Sequence, residues 1–115
     1  MHLVWKIWVD AKTEKKSLRL CARIRERMGR EASDMRVEPY PKTGGFVVGF
    51  VVGLESTRWN DAVVEAIALG QRVGYGWVIA GSVRDEPSGC SDRVSISGVQ
   101  SMEWSLVGRD DGGAG

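Results

Sequence analysis

Between the turn-forming stretch Lys42-Thr43-Gly44-Gly45 and Glu55 the chain runs Phe46-Val47-Val48-Gly49-Phe50-Val51-Val52-Gly53-Leu54, nine residues without a charge. The run is too short to span a membrane as a helix, and its aromatic and β-branched content suits a strand. Side chains alternate along a strand, so Phe46, Val48, Phe50, Val52 and Leu54 share one face and Val47, Gly49, Val51 and Gly53 the other. A strand apolar on both faces belongs in the interior of a sheet, with a paired neighbour on each edge and cover on its faces. Its glycines leave a shallow strip where another backbone can approach. A sheet apolar on both faces needs a cover beyond its own helices: a partner, a second copy of the chain or the C-terminal segment.

The flanking sequence supplies the helices. Leu3, Trp5, Ile7 and Val9 fall on one face of a first strand, with Trp8 on the other. Thr13 is a natural N-cap for a helix running to about Met28, and Gly29 a natural left-handed stop. Its apolar stripe reads Leu18, Cys21, Ile24 and Met28, with Lys16, Arg19, Arg23, Arg27 and Arg30 opposite. Met35-Arg36-Val37-Glu38 alternates up to Pro39 and Pro41, which remove ladder donors and mark an edge strand. Ser56 or Thr57 opens a second helix, with Trp59, Val63 and Ile67 at core spacing and Gly74 as its stop. Gly76–Val83 reads as a strand, and Asp85–Asp92 as an exposed turn or loop. Val94–Ser97 and Met102–Leu106 follow as one bent strand or two. The expected fold is α+β and ferredoxin-like: a β-α-β-β-α-β antiparallel sheet, both helices on one face, and one or two extra C-terminal strands. Residues 1–107 form a single domain in this reading, and 108–115 a flexible tail.

Charge and residue chemistry exclude more than they select. The chain has 115 residues, with 16 Lys+Arg against 15 Asp+Glu, so it is not a strongly basic nucleic-acid protein. The charge is nonetheless divided: residues 1–58 carry a net +5 and residues 59–115 a net −4. The only histidine, His2, sits beside the first residue. Cys21 lies on the apolar side of the first helix, and Cys90 has no neighbouring histidine to activate it. The acidic pairs Asp85-Glu86 and Asp110-Asp111 belong to loops, and no glycine-rich loop joins a strand to a helix as a phosphate cradle requires. No catalytic residue, cofactor or metal site is assigned, and the chain is not expected to be an enzyme. Phe46 and Phe50 lack the basic flanks of an RNA-binding strand, which argues against nucleic acid as a partner. The absence of a signal-peptide core or a membrane-length apolar run points to a cytoplasmic protein with reduced thiols. Five tryptophans in so short a chain are either core or interface anchors.

Three segments carry a family likeness: Arg58-Trp59-Asn60-Asp61-Ala62-Val63, Gly76-Trp77-Val78-Ile79-Ala80-Gly81-Ser82, and Ile96-Ser97-Gly98-Val99 leading into Met102-Glu103-Trp104. In this pattern of tryptophans and glycines the chain resembles the immunity proteins of contact-dependent growth inhibition and other polymorphic toxin systems. The resemblance implies a non-enzymatic cytoplasmic inhibitor that binds one cognate toxin domain and blocks its active site or substrate path. Many such toxins are nucleases with basic clefts. The late acidic residues Asp85, Glu86, Asp92 and Glu103, with Trp104 beside them, are therefore the candidate partner-binding surface; either the basic first helix points elsewhere, or the toxin is acidic and the assignment reverses. The alternative is a ferredoxin-like oligomerising or ligand-sensing module, in which two copies associate as a homodimer.

Overall fold

The computed structural model describes residues 1–108; residues 109–115, and with them nearly all of the expected tail, lie outside the described residues. The chain is α+β. In order it forms β1 (His2–Val9), α1 (Glu14–Met28), β2 (Ser33–Tyr40), β3 (Gly45–Gly53), α2 (Trp59–Gln71), β4 (Gly74–Tyr75), β5 (Val78–Ala80), β6 (Ser88–Ser91), β7 (Arg93–Val94) and β8 (Val99–Val107). Six strands make one sheet in the order β2-β3-β1-β8-β6-β5, and β4 pairs with β7 apart from it. Every pairing is antiparallel.

The apolar run takes the interior place its composition requires. In β3, Val48, Phe50 and Val52 lie opposite Ile7, Trp5 and Leu3 of β1. Across the other edge of β1, these same residues meet Met102, Trp104 and Leu106 of β8. All nine are buried, and they share one core with Leu20, Cys21, Ile24 and Met28 of α1 and with Ala62, Val63, Ala66 and Leu69 of α2. Both helices thus cover the same face of the sheet. Trp5 stacks parallel to Phe50 at 6.1 Å between ring centroids and meets Trp77 edge-on at 5.8 Å.

Helix α1 begins and ends as its sequence indicates. The Thr13 hydroxyl accepts from the Lys16 N–H at 3.1 Å, and Gly29 closes the helix at φ 75°. Thr13→Ala is expected to lower stability by about 1 kcal/mol in chemical denaturation, with little change in slope. The buried stripe differs from expectation by rotation. Leu20 faces the core and Leu18 is exposed, because the small Ser17 takes a buried place and returns its hydroxyl to the Thr13 carbonyl at 2.9 Å.

The second half departs further. Helix α2 starts at Trp59, and its N-cap Arg58 makes no side-chain cap bond. Ser56 does not cap it, since the Ser56 hydroxyl donates to Glu65 at 2.6 Å. Gly74 is no helix stop either. It lies in β4, where a Cβ would stand 2.9 Å from the Met102 methyl and 3.0 Å from the Arg93 carbonyl oxygen. The expected strand Gly76–Val83 shrinks to Val78–Ala80, broken at each end by glycines in the left-handed region, Gly76 at φ 64° and Gly81 at φ 76°. Half of the expected Asp85–Asp92 loop is instead strand β6. In a ferredoxin-like order the strand following the second helix lies beside β1. That place is taken by β8, and β5 lies at the far edge, so the strand order differs from the ferredoxin-like one expected.

Candidate functional site

Among the described residues, the second face of the sheet carries no helix. Its residues follow from the register: Arg36, Gly49, Lys6, Glu103, Cys90 and Val78 lie in one row across all six strands, from β2 to β5. In the next row Glu38, Val47, Trp8 and Ser101 stand opposite one another in turn. Trp5 and Trp8, three apart on β1, point to opposite sides: Trp5 is sealed in the core, and Trp8 is half-buried on the open face. Trp8 meets Tyr40 edge-on, with 6.5 Å between ring centroids and 77° between planes. Gly49, with no side chain, leaves the floor low between Lys6 and Arg36.

Trp8 divides this face into two clefts. One, of about 380 Å³, is lined by Trp8, Gly76, Val78, Cys90, Asp92 and Glu103. The other, of about 440 Å³, is lined by Lys6, Trp8, Arg36, Glu38, Tyr40 and Val47, among others. The first is apolar walled with two carboxylates at its rim; the second mixes both signs of charge around two aromatic rings. Apolar floors with a charged margin are the composition of protein-binding surfaces.

The residues named from the sequence separate into three groups. Asp92 and Glu103 come together in the first cleft. Asp85 and Glu86 are exposed in the turn between β5 and β6, where both their N–H groups donate to the Ser82 carbonyl, at 3.1 and 2.9 Å. Trp104 must be withdrawn as a contact residue: it is 0 % exposed, on the helix-covered face of β8, packed beside Trp5 and over Gly89. Trp8 and Tyr40 are the aromatics on the open face. The alternation of β1 already marked Trp8, but Tyr40 was hidden between Pro39 and Pro41.

The two thiols also differ in surroundings. Burial pushes the Cys21 thiol up to about 11, against a smaller opposing pull from the Arg25 charge, so it stays protonated and inert. Cys90 is exposed on the open face. Among the described residues, no three His, Cys, Asp or Glu side chains group as a metal ion requires, and no helix is long and apolar enough to cross a membrane. Comparison with protein-family models, with curated proteins and with solved structures finds no match.

Proposed function

We propose that this chain is a non-enzymatic immunity-type protein, which neutralises a cognate toxin domain in the cytoplasm by covering its active site or substrate path. The observation that carries the reading is the open sheet face, where the Trp8–Tyr40 pair stands beside a cleft bearing Asp92 and Glu103. A half-buried aromatic ridge is the usual form of an interface anchor, and carboxylates at the rim accelerate encounter with a basic partner. The exposed cations of α1, among them Lys15, Arg19, Arg23 and Arg27, belong to a helix packed on the other face. They do not oppose a basic partner seated on the open one. We further read the run β2-β3-β1-β8, with both helices on one side, as a ferredoxin-like unit extended by β6 and β5.

The test is production of the chain with a toxin domain encoded beside its gene. Restored growth and an isolable complex support the proposal; absence of any such neighbouring domain, or of a complex with it, overturns it. Within the complex, Trp8→Ala is expected to weaken binding about 30-fold, roughly 2 kcal/mol, chiefly through faster dissociation, with a small change in melting temperature. Asp92→Lys with Glu103→Lys is expected to slow association, an effect that shrinks in high salt. Surface plasmon resonance separates the two rates, and unchanged rates in both variants exclude this face. A free chain that forms a stable homodimer through the open face supports the oligomerising module instead.

A further inference from the structure

The outer side of α1 carries a band of cations. Lys15, Arg19, Arg23 and Arg27 recur every four residues, about 6 Å apart along the axis, and all four are exposed. Basic side chains near a helix C-terminus often serve its last carbonyls, but here those carbonyls have other donors. The Gly29 N–H donates to the Arg25 and Glu26 carbonyls at 2.9 and 3.2 Å, and Arg72 Nη1 to that of Met28 at 2.9 Å. Among the described residues Arg19 and Arg23 have no hydrogen bond or ion pair, and Arg27 has one, from Nη1 to the Ser95 hydroxyl at 2.8 Å.

That bond spans a cleft of about 480 Å³ between Arg23, Glu26 and Arg27 of α1 and the connection Ser95-Ile96-Ser97. The connection is pinned at both ends. The Ser95 N–H and hydroxyl both donate to the Val73 carbonyl, at 3.2 and 3.0 Å. The Val99 N–H closes a turn on the Ile96 carbonyl at 3.2 Å, and the Asp10 N–H donates to the Gly98 carbonyl at 2.8 Å. The N–H groups of Ile96 and Ser97 and the Ser97 hydroxyl donate to no protein group among the described residues. Two guanidiniums, a hydroxyl and two backbone donors thus border one cleft, a set suited to an oxyanion. Glu26 is the one carboxylate lining it. On the flanking segments Asp10 is offset by Lys12 and Asp92 by Arg93, Glu14 lies at the far end of α1, and Arg19, one turn before Arg23, adds a further cation.

We propose that this cleft binds the pyrophosphoryl group of a small soluble ligand, either free pyrophosphate or a nucleoside diphosphate. A tetrahedral phosphoryl group accepts from guanidinium, hydroxyl and amide donors arriving from different sides, whereas a planar carboxylate is satisfied by one guanidinium fork. One phosphoryl group lies between Arg23, Arg27 and the Ser97 turn, and the second extends towards Arg19. A single phosphate carries less charge to set against Glu26 and binds more weakly. No aromatic ring lines the cleft to stack unpaired bases, which favours a small ligand over a nucleic-acid strand. The site belongs to the helix-covered side of the sheet, and its test needs no toxin, so it stands or falls apart from the proposed function.

The probe is inorganic pyrophosphate, titrated into the full chain at fixed ionic strength and followed by amide NMR. The expected result is saturable one-to-one binding in the submillimolar to millimolar range, with shifts concentrated at residues 96–98 and along the last two turns of α1. Orthophosphate is expected to bind about tenfold more weakly. Arg23→Gln and Arg27→Gln should each weaken pyrophosphate binding about tenfold with little change in melting temperature, and Glu26→Gln should tighten it about threefold. The control is Lys15→Gln with Lys16→Gln, which takes two charges from the same helix outside the cleft and should change affinity by less than about twofold. Adenosine diphosphate that competes for the same residues identifies a nucleotide as the source; if it does not compete, free pyrophosphate is the ligand, and either result supports the site. Binding that does not saturate, shifts that miss residues 96–98, or a lysine control that weakens binding as much as the arginine variants overturns the inference, since the band then acts only as diffuse charge. So does a short DNA duplex that displaces pyrophosphate and binds more tightly through the same arginines, because the surface then belongs to a nucleic acid.

Discussion

Trp104→Ala is expected to lower the unfolding free energy by about 3–5 kcal/mol. The ring has no exposed surface and lies opposite Trp5 across the β1–β8 ladder. On its other side β6 closes over it at Gly89, where a Cβ would fall 2.6 Å from the indole, so nothing short of backbone movement fills the space the ring leaves. For a domain of this size the loss amounts to a fall in melting temperature of roughly 12–20 °C, read by calorimetry on the free protein. Trp104→Phe is expected to cost far less. The Trp104 indole N–H is buried without a hydrogen-bond partner among the described residues, and phenylalanine removes that unsatisfied donor while keeping most of the ring. Gly89→Ala should destabilise the wild-type chain but less so the Trp104→Ala chain, where the added methyl enters the vacated space. A loss below about 1 kcal/mol for Trp104→Ala contradicts the placement of the ring in the core.

The same pair of residues explains where the sequence was readable. Strand β3 announces itself through nine uncharged residues, β1 through alternation, and α1 through Thr13 and Gly29, and all three depend on local pattern alone. Strand β6 could not be read that way. Ser88-Gly89-Cys90-Ser91 has no β-branched or aromatic residue, and its place in the sheet is set by Trp104, fifteen positions later, whose ring demands a glycine above it. The start of α2 was obscured for a related reason, because the nearest capping serine is engaged from within the helix by Glu65. Of the candidate site, the acidic character was legible and its geometry was not. Asp92 and Glu103 meet only because β6 and β8 pair with Cys90 opposite Glu103, and Trp104, next to Glu103 in sequence, necessarily points to the other face.

Glu65 gives the second large effect, and it concerns charge rather than volume. Its carboxylate, 13 % exposed, accepts hydrogen bonds from the backbone N–H of Glu55 at 3.0 Å and of Ser56 at 2.9 Å, from the Ser56 hydroxyl at 2.6 Å, and from Arg30 Nη1 at 2.7 Å. One side chain of α2 thereby fixes the loop leaving β3 and the arginine that follows α1. Burial alone would raise this carboxyl; the donors from Glu55, Ser56 and Arg30 outweigh it and hold the group at about 2, against an ordinary 4.5. Glu65→Ala leaves two loop amides without their acceptor and strips the largely buried Arg30 guanidinium of its short partner, leaving it the Gly53 carbonyl at 3.4 Å and Glu55 at 3.8 Å, a loss of about 3 kcal/mol. Glu65→Gln keeps the shape but not the charge, and is expected to lose roughly 2 kcal/mol at pH 7. Because the folded chain binds this proton less readily than the unfolded chain, the stabilisation is fully present above pH 4.5, declines as pH falls, and is gone below about 2. Urea unfolding of the wild-type and Glu65→Gln chains should therefore show a gap that is constant from pH 7 to 5 and closes between pH 4.5 and 2. A gap that stays the same across that range means that the carboxylate charge is not what ties the loop to the helix.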